Sequence, residues 1–570
     1  MNSKLLTFGL LILWAVSEQV SGETQVFIDP VDSSGNVVLT LSGRPAGTVW
    51  VLENSTDLVK WDVVKPGGIP LRFEVGEDRV SFSRAGTARY FRAVLLGDDR
   101  VPALYDVSVL RDLSLSFGEA DWEDRLAENF GTDTNLLAGL TVEGVSYPNV
   151  GVHYRGFNSY AFIPGSRKKS FAIDLDQTDP DQRLLGIKTL NLNNSFGDAS
   201  FMRELIYSNA CAEYFPSPHV NFVRLFVNGD YFGIYVNVQQ ENRDLLEGWF
   251  DDPDGDRWRA GVGRPGGFAG KIDFGGSLRW MGGEPSDYDG YELKSDFNGE
   301  EAAWSSLILS INALNHTPDA DFPDYIDRVF AVDRWLWMMV LENIFIDEDG
   351  YLSKAGDYQM FRDADTGRLH PIQRDGNETF TMSKRASLPA VYGENLLAAR
   401  PLSTRLLAHP PFRQRYLAHL RTVLDRTFTV ENMGAKVDTY AALIRPHVEA
   451  DPIKLKSLES FDADTAGEMA ILKEFVRDRR AFLLADPEVG VPSPRFVSVS
   501  PVNDPLAGSP SSIRATFDES QVMIAEANLY YSINGRNHAF TMLPMTDSGS
   551  GTYSADLPAV SGGNRIHYYV

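Results

Sequence analysis

The chain has 570 residues, 43% of them hydrophobic and 33 of them Phe, enough for roughly three or four domains with substantial cores. Its 53 basic and 78 acidic residues give a net charge of −25 and a pI near 4.8. That balance excludes nucleic acid as a default partner, because a phosphate backbone needs a basic face, and it leaves any anion site to local Arg and Lys.

Residues 1–22 read as a secretory signal. Lys4 supplies the positive start, 5–16 the apolar core, and Val20-Ser21-Gly22 a small-residue cleavage site. No later stretch is long and apolar enough to span a bilayer. Cys211 is the one cysteine, so no internal disulfide can form, and its helical surroundings predict a buried small hydrophobe.

Residues 23–100 are expected to be a β-rich module. Val37-Val38-Leu39-Thr40-Leu41, Val49-Trp50-Val51-Leu52 and the run 87–94 are strand-like, with turn signals at Gly43 and Pro45. The segment from Glu53 to Leu58 with Trp61 resembles a short β-module attached to large secreted bacterial proteins. Display, adhesion and a plain spacer are its open roles.

Composition changes near Val101-Pro102. A strand is expected over 107–115, a short helix over 121–129, and alternating strands over 142–152 and 169–175. Between the last two lie Tyr154-Arg155-Gly156-Phe157 and Lys168-Lys169. A Gly-containing turn followed by a Lys on a strand can cover phosphates and set one positive charge against them. A solvated strand edge is the other reading of the lysine pair. The run 184–194 precedes a helix over 200–214. Asn228-Gly229-Asp230, between 222–227 and 231–238, is a strong hairpin signal.

Residues 251–299 read as a Gly- and Asp-rich insertion. Asp252, Asp254 and Asp256 alternate as calcium ligands can, but Gly255 is misplaced for an EF-hand and no Glu closes the loop. A solvated turn is the alternative. Helices are expected over 304–314 and 331–346, the second leading into Asp347-Glu348-Asp349-Gly350. Asp357 to Arg362 and Arg368 to Gln373 form a hairpin across the turn 363–367, which delivers Asp375 and Asn377 beside the Asp347–Asp349 loop. Acid loop, hairpin and second acid suit a divalent cation held against phosphates, since hard cations want several oxygens; an acidic surface loop has the same spacing. Helices follow over 402–408, 411–425, 430–447 and 466–484. His370, His409 and His419 lack ligand spacing and read as structural. After Pro492-Ser493-Pro494, short strands over 496–499, 512–517, 527–533 and 566–570 fit an immunoglobulin- or fibronectin-like sandwich, expected to be incomplete at residue 570.

Taken in order, Arg155-Gly156, Lys168-Lys169, 190–194, Arg203-Glu204, Asn228-Gly229 through Gly233-Ile234-Tyr235, Asp349-Gly350, Asp357-Tyr358 and the run from His370 to Phe380 resemble the CotH kinase family. These are secreted or spore-coat protein kinases named for spore coat protein H. The resemblance covers roughly 102–490. It implies an α+β chain: an atypical, two-lobe protein-kinase-like domain over 101–490, between a β-module over 23–100 and a sandwich over 495–570.

The implied activity is transfer of the ATP γ-phosphoryl group, with Mg²⁺ or Mn²⁺, to Ser or Thr of an extracytoplasmic protein. Asp349 would be the catalytic base. Arg155, Lys168 or Lys169, Gln239 and Glu241 would serve the nucleotide. Asp357, Asp375 and Asn377 would hold metal. Gln239 and Asn377 are amides where family members carry carboxylates, so Gln239 cannot form an ion pair with Lys169, and Asn377 binds a divalent cation less well than a carboxylate. Compensation by the nearby Glu241 and Glu378 is one expectation. An inactive pseudokinase acting as a cell-surface adhesion or structural protein is the alternative, with polysaccharide contact through the β-modules left open.

Overall fold

The computed structural model describes residues 102–132, 134–250, 252–261, 275–381, 387–391, 400–492, 494–500, 509–520, 522–533, 539–560 and 566–570, and the backbone of seven strands before them. The signal segment at 1–22 lies outside the described residues. The early strands pair antiparallel: Gln25–Asp29 with Asn36–Ser42, Asn36–Ser42 with Arg79–Ser83, and Val49–Ser55 with Tyr90–Gly97. The chain divides into two compact units, and both mix helix and sheet or strand in an α+β arrangement.

The first unit comprises residues 1–155, 171–192 and 221–229. Strand β1 (Arg111–Ser116) alternates buried Leu113 and Leu115 with less buried neighbours, as a half-buried strand should. Helix α1 (Trp122–Glu128) follows. The expected strand over 142–152 is instead split between β2 (Leu136–Val142) and β3 (Val145–Arg155). Glu143 and Gly144 both take left-handed φ values, +50° and +82°, so they turn a hairpin where alternation alone suggested one strand. Strand β4 (Ser170–Asp174) pairs antiparallel with β5 (Thr189–Asn193). Strand β6 (Val220–Val227) runs parallel to β1, and the Asn228-Gly229 turn (φ +49° and +89°) leads into β7 (Asp230–Gln239) as expected.

The second unit carries the acid loop. Helix α2 (Arg203–Cys211) is shorter than expected; Asp198 accepts the Arg203 N–H at 2.9 Å ahead of it. Helix α3 (Arg243–Trp249) begins at an Asn242 cap. Two strands hidden in the Gly-rich insertion, β8 (Gly255–Ala260) and β9 (Tyr291–Ser295), join the expected hairpin of β10 (Tyr358–Asp363) and β11 (Leu369–Gln373). The sheet order is β9-β8-β10-β11, antiparallel throughout.

Helix α4 (Glu300–His316) precedes α5 (Val332–Phe345), whose Trp335, Leu336, Met338, Met339 and Val340 are all buried. A helix apolar on nearly every face belongs inside a core. Trp335 Nε1 donates to the Leu369 carbonyl at 2.8 Å and so fixes α5 on β11. Then come α6 (Pro401–Ala408), α7 (Pro410–Arg426), α8 (Val430–Ala450), α9 (Leu458–Thr465) and α10 (Ile471–Leu484). The last expected helix, 466–484, starts late because Gly467 sits at φ +74°. Arg479 is fully buried and donates to Asn343 Oδ1 at 2.8 Å, tying α10 to α5. Beyond the helices, strands between 495 and 569 form two sheets around Ile513, Ala515, Leu529 and Leu557.

The three histidines are structural. His370 is buried against Arg334, His409 stacks on Phe322, and His419 stacks on Trp337 at 3.6 Å. Cys211 is buried and unpaired. The alternating aspartates do not converge: Asp254 pairs with Arg243, while Asp256 lies on β8 and accepts the Phe297 N–H at 2.8 Å. Among the described residues no helix is long and apolar enough to cross a membrane.

Candidate active site

Helix α5 stops at Ile346, which takes φ +53°. A β-branched residue in that region is strained, and strain of this kind collects at functional sites. The chain then enters a loop held from beneath by two buried carboxylates. Glu342 accepts the Tyr351 N–H at 3.1 Å with Oε1 and the Leu352 N–H at 2.9 Å with Oε2. Asp347 Oδ1 accepts the N–H groups of Asp349 at 3.1 Å and Gly350 at 3.0 Å. A Cβ on Gly350 would lie 2.8 Å from the Glu342 carboxyl carbon, so only glycine fits there. Arg400 donates to the carbonyls of Tyr351 and Ser353, both at 2.6 Å. The loop therefore holds Asp349 in one place, with Lys354 Nζ donating to its Oδ1.

Burial pushes the Glu342 carboxyl up to about 7, against the pull of the Leu352 and Tyr351 N–H groups and the Arg400 charge. Burial, then Glu342 and Asp349, push Asp347 well above the usual carboxylate range.

The loop passes into β10 through Asp357 at φ +48°, and β11 returns the chain to Asp375 at φ +52°. Arg374 Nη1 donates to Asp357 Oδ1 at 3.3 Å. Burial, and then the charge of Asp375, push Asp357 well above its usual range; Arg374 offsets part of this. The segment after Asp375 runs back beside the acid loop. The Glu348 N–H donates to the Glu378 carbonyl at 3.2 Å, and Thr381 Oγ1 to Glu348 Oε1 at 2.9 Å. A Cβ on Gly376 would fall 2.4 Å from the Tyr207 ring, which explains that glycine.

The site thus sets Asp349 within electrostatic reach of a mutually repelling pair, Asp357 and Asp375. A divalent cation would relieve that repulsion. Among the described residues no three acidic, His or Cys groups converge to hold an ion unaided. Mg²⁺ needs only one or two protein carboxylates when phosphates and water complete its shell, so the pair fits a metal shared with phosphates and not a closed protein cage.

A family model described as CotH kinase protein matches residues 152–483, which include the lysine pair, the acid loop and the Arg374-Asp375 turn. The chain belongs to the CotH kinase family. Two curated proteins of Bacillus subtilis (strain 168) are similar to it. Inner spore coat protein H is 25% identical over 348 residues, covering 59% of this chain and 86% of that protein. An inner spore coat protein H-like protein is 23% identical over 309 residues, covering 54% and 82%.

The CotH resemblance assigned the phosphates to Lys168 or Lys169, and the structure gives the two neighbours different surroundings. Lys168 has no exposure; its Nζ lies 2.6 Å from Asp451 Oδ2, 2.7 Å from the Phe232 carbonyl and 4.2 Å from the centre of the Tyr235 ring. Those contacts commit the Lys168 ammonium to the fold. Burial lowers its pKa to about 8, with Asp451 working against that shift. Lys169 Nζ donates to the Ile163 carbonyl at 3.0 Å and the Tyr160 carbonyl at 3.3 Å, neutral partners that a phosphate can displace. Arg155 ends β3 in the first unit.

Gln239 is buried and its Oε1 accepts the His219 N–H at 3.2 Å, so its amide serves the fold. The charge of Glu241 acts on Arg257, Arg259 and Arg374. Asn377 is exposed on the turn after Asp375.

Sequence reasoning gave no role to Glu342, Asp451, Arg374 or Glu204. Arg374 is stabilised in its charged form by Glu241, Asp375, Asp357 and Glu204, against its burial. Glu342 carried a signal: a carboxylate inside the apolar run from Trp335 to Phe345 must have partners. Asp451 carried none, lying 283 positions from Lys168.

Proposed function

We propose that this CotH family member is an extracytoplasmic protein kinase that transfers the γ-phosphoryl group of ATP to Ser or Thr of a protein acceptor. The observation that carries the reading is the fixed Asp349 loop beside the Asp357–Asp375 pair. Asp357 and Asp375 would hold Mg²⁺ or Mn²⁺, which when bound neutralises charge on the phosphates. Asp349 accepts the proton of the attacking hydroxyl and orients its oxygen. Lys354, whose Nζ donates to Asp349 Oδ1, holds the carboxylate in place. Lys169, released from the Tyr160 and Ile163 carbonyls, meets a phosphate. Lys168 holds the segment that presents Lys169. The two-lobe kinase-like arrangement and the immunoglobulin-like character of the last strands belong to the same proposal.

Extracytoplasmic location is supported by the signal-like residues 1–22 and by relatives named as spore coat proteins. Incubation of the full chain with radiolabelled ATP, either metal and a Ser/Thr-rich acceptor tests the activity. Label is expected on the acceptor and is expected to vanish with Asp349→Ala.

One observation favours a second reading. Gln239 is committed to a backbone N–H and Lys168 to Asp451, so neither supplies the lysine–glutamate ion pair of an active kinase. A pseudokinase that binds nucleotide and metal without transfer, and acts in adhesion or structure, follows if the wild-type chain shows nucleotide binding but no label.

A further inference from the structure

Strand β8 carries Arg257 and Arg259 on one face and Trp258, fully buried, on the other. Arg257 Nε and Nη1 and Arg259 Nε are enclosed with no hydrogen-bond partner among the described residues. Their neighbours do not satisfy them. Across the register Arg257 faces Phe361, and Arg259 faces Gln359, whose own Oε1 is buried and unbonded. Glu292 lies 3.8 Å from Arg259 Nη1, a loose ion pair at the sheet edge. Glu241 acts on both arginines by its charge alone, and the charges of Arg374 and Asp357 also bear on Arg259. A guanidinium enclosed with empty donor positions is costly, and such groups call for a partner the protein itself does not provide.

We infer that Arg257 and Arg259 form an oxyanion subsite for a polyphosphate ligand, beside the Asp357–Asp375 pair. The planar fork of arginine matches phosphate oxygens, and the two side chains stand two residues apart on one strand, about 7 Å. That spacing lets each fork take a separate phosphate group, which favours a chain of phosphates over a single one. The ligand chemistry has two sources, a nucleotide's phosphates or free inorganic polyphosphate. The inference deepens the kinase reading by naming a further phosphate contact, and rests on that reading only for the nucleotide source.

The test is calorimetric titration of the full chain with tripolyphosphate without metal, and with ATP and Mg²⁺, for the wild type, Arg257→Met, Arg259→Met and Arg257→Lys. Met keeps the apolar stem and removes the unsatisfied donors, so Arg257→Met should melt no lower than the wild type. Each Met variant should bind tripolyphosphate about tenfold more weakly, with partial recovery in Arg257→Lys. An equal loss for ATP assigns the subsite to nucleotide phosphates; a loss for tripolyphosphate alone assigns it to inorganic polyphosphate. If the wild type binds tripolyphosphate through these arginines but labels no acceptor, the subsite stands and the kinase reading falls. Unchanged affinity in both Met variants, no tripolyphosphate binding by the wild type, or a lowered melting temperature in Arg257→Met overturns the subsite.

Discussion

Lys168 Nζ and Asp451 Oδ2 meet at 2.6 Å with neither side chain exposed. Asp451 caps the end of α8, and Lys168 leads into β4, so one buried ion pair fastens the segment that carries Lys169 to a helix far along the chain. Removing one partner leaves the other charge buried and alone. Asp451→Ala should therefore lower unfolding free energy by about 3–5 kcal/mol in urea titrations. The double variant Lys168→Met with Asp451→Leu should recover most of that loss, because the apolar pair needs no charge compensation. Equal losses in both variants would contradict the latch.

The same pair gives a pH signature. The folded state releases the Lys168 proton near 8, the unfolded state only near 10.5. Between those values the unfolded chain binds more protons, so this group's contribution to stability rises with pH across that window and is flat below it. The difference in unfolding free energy between the wild type and Lys168→Met, followed from pH 7 to 10.5, should change in favour of the wild type above pH 8. A flat difference would contradict the assignment.

Gly233 faces that latch. It has φ +91°, and a Cβ there would lie 1.8 Å from Asp451 Oδ2. Gly233→Ala combines left-handed strain with displacement of the carboxylate, and should cost about 2–4 kcal/mol in thermal or urea unfolding. A variant as stable as the wild type would show that Asp451 can move away freely.

Glu342 makes the acid loop rigid through two N–H bonds, to Tyr351 and Leu352. Glu342→Gln keeps one acceptor and turns an NH₂ toward the other donor. The loss should be about 1–3 kcal/mol, felt locally. Hydrogen exchange should speed up at residues 349–356, with α8 and α10 unchanged. Uniform protection throughout would remove Glu342 from its supporting role.

Much of this was legible in the sequence, for physical reasons that differ by element. The Asn228-Gly229 hairpin and the apolar run of α5 announce themselves through local chemistry, and both form where expected. Asp349 and Asp375 were singled out by their order along the chain and Asp357 by the family resemblance, and the paired strands β10 and β11 join Asp357 to Asp375. The Glu143-Gly144 turn was missed because alternation continued across it. Strand β8 was missed because Gly and Asp around it outweighed four informative residues, Arg257 to Ala260. Lys168 and Lys169 are adjacent and of one type; only the fold, by bringing Asp451 to one of them, tells them apart.

On the proposed function, Asp357 and Asp375 hold a metal shared with nucleotide phosphates. Thermal unfolding of the wild type and Asp375→Asn, each alone and with ATP plus Mg²⁺ or Mn²⁺, tests it most directly. Removing one of two repelling charges should leave the unliganded variant at least as stable as the wild type. With ligand at about 100 times its Kd, the wild type should gain about 2.7 kcal/mol and the variant almost none. No ligand-dependent shift in the wild type, or an equal shift in Asp375→Asn, would contradict it.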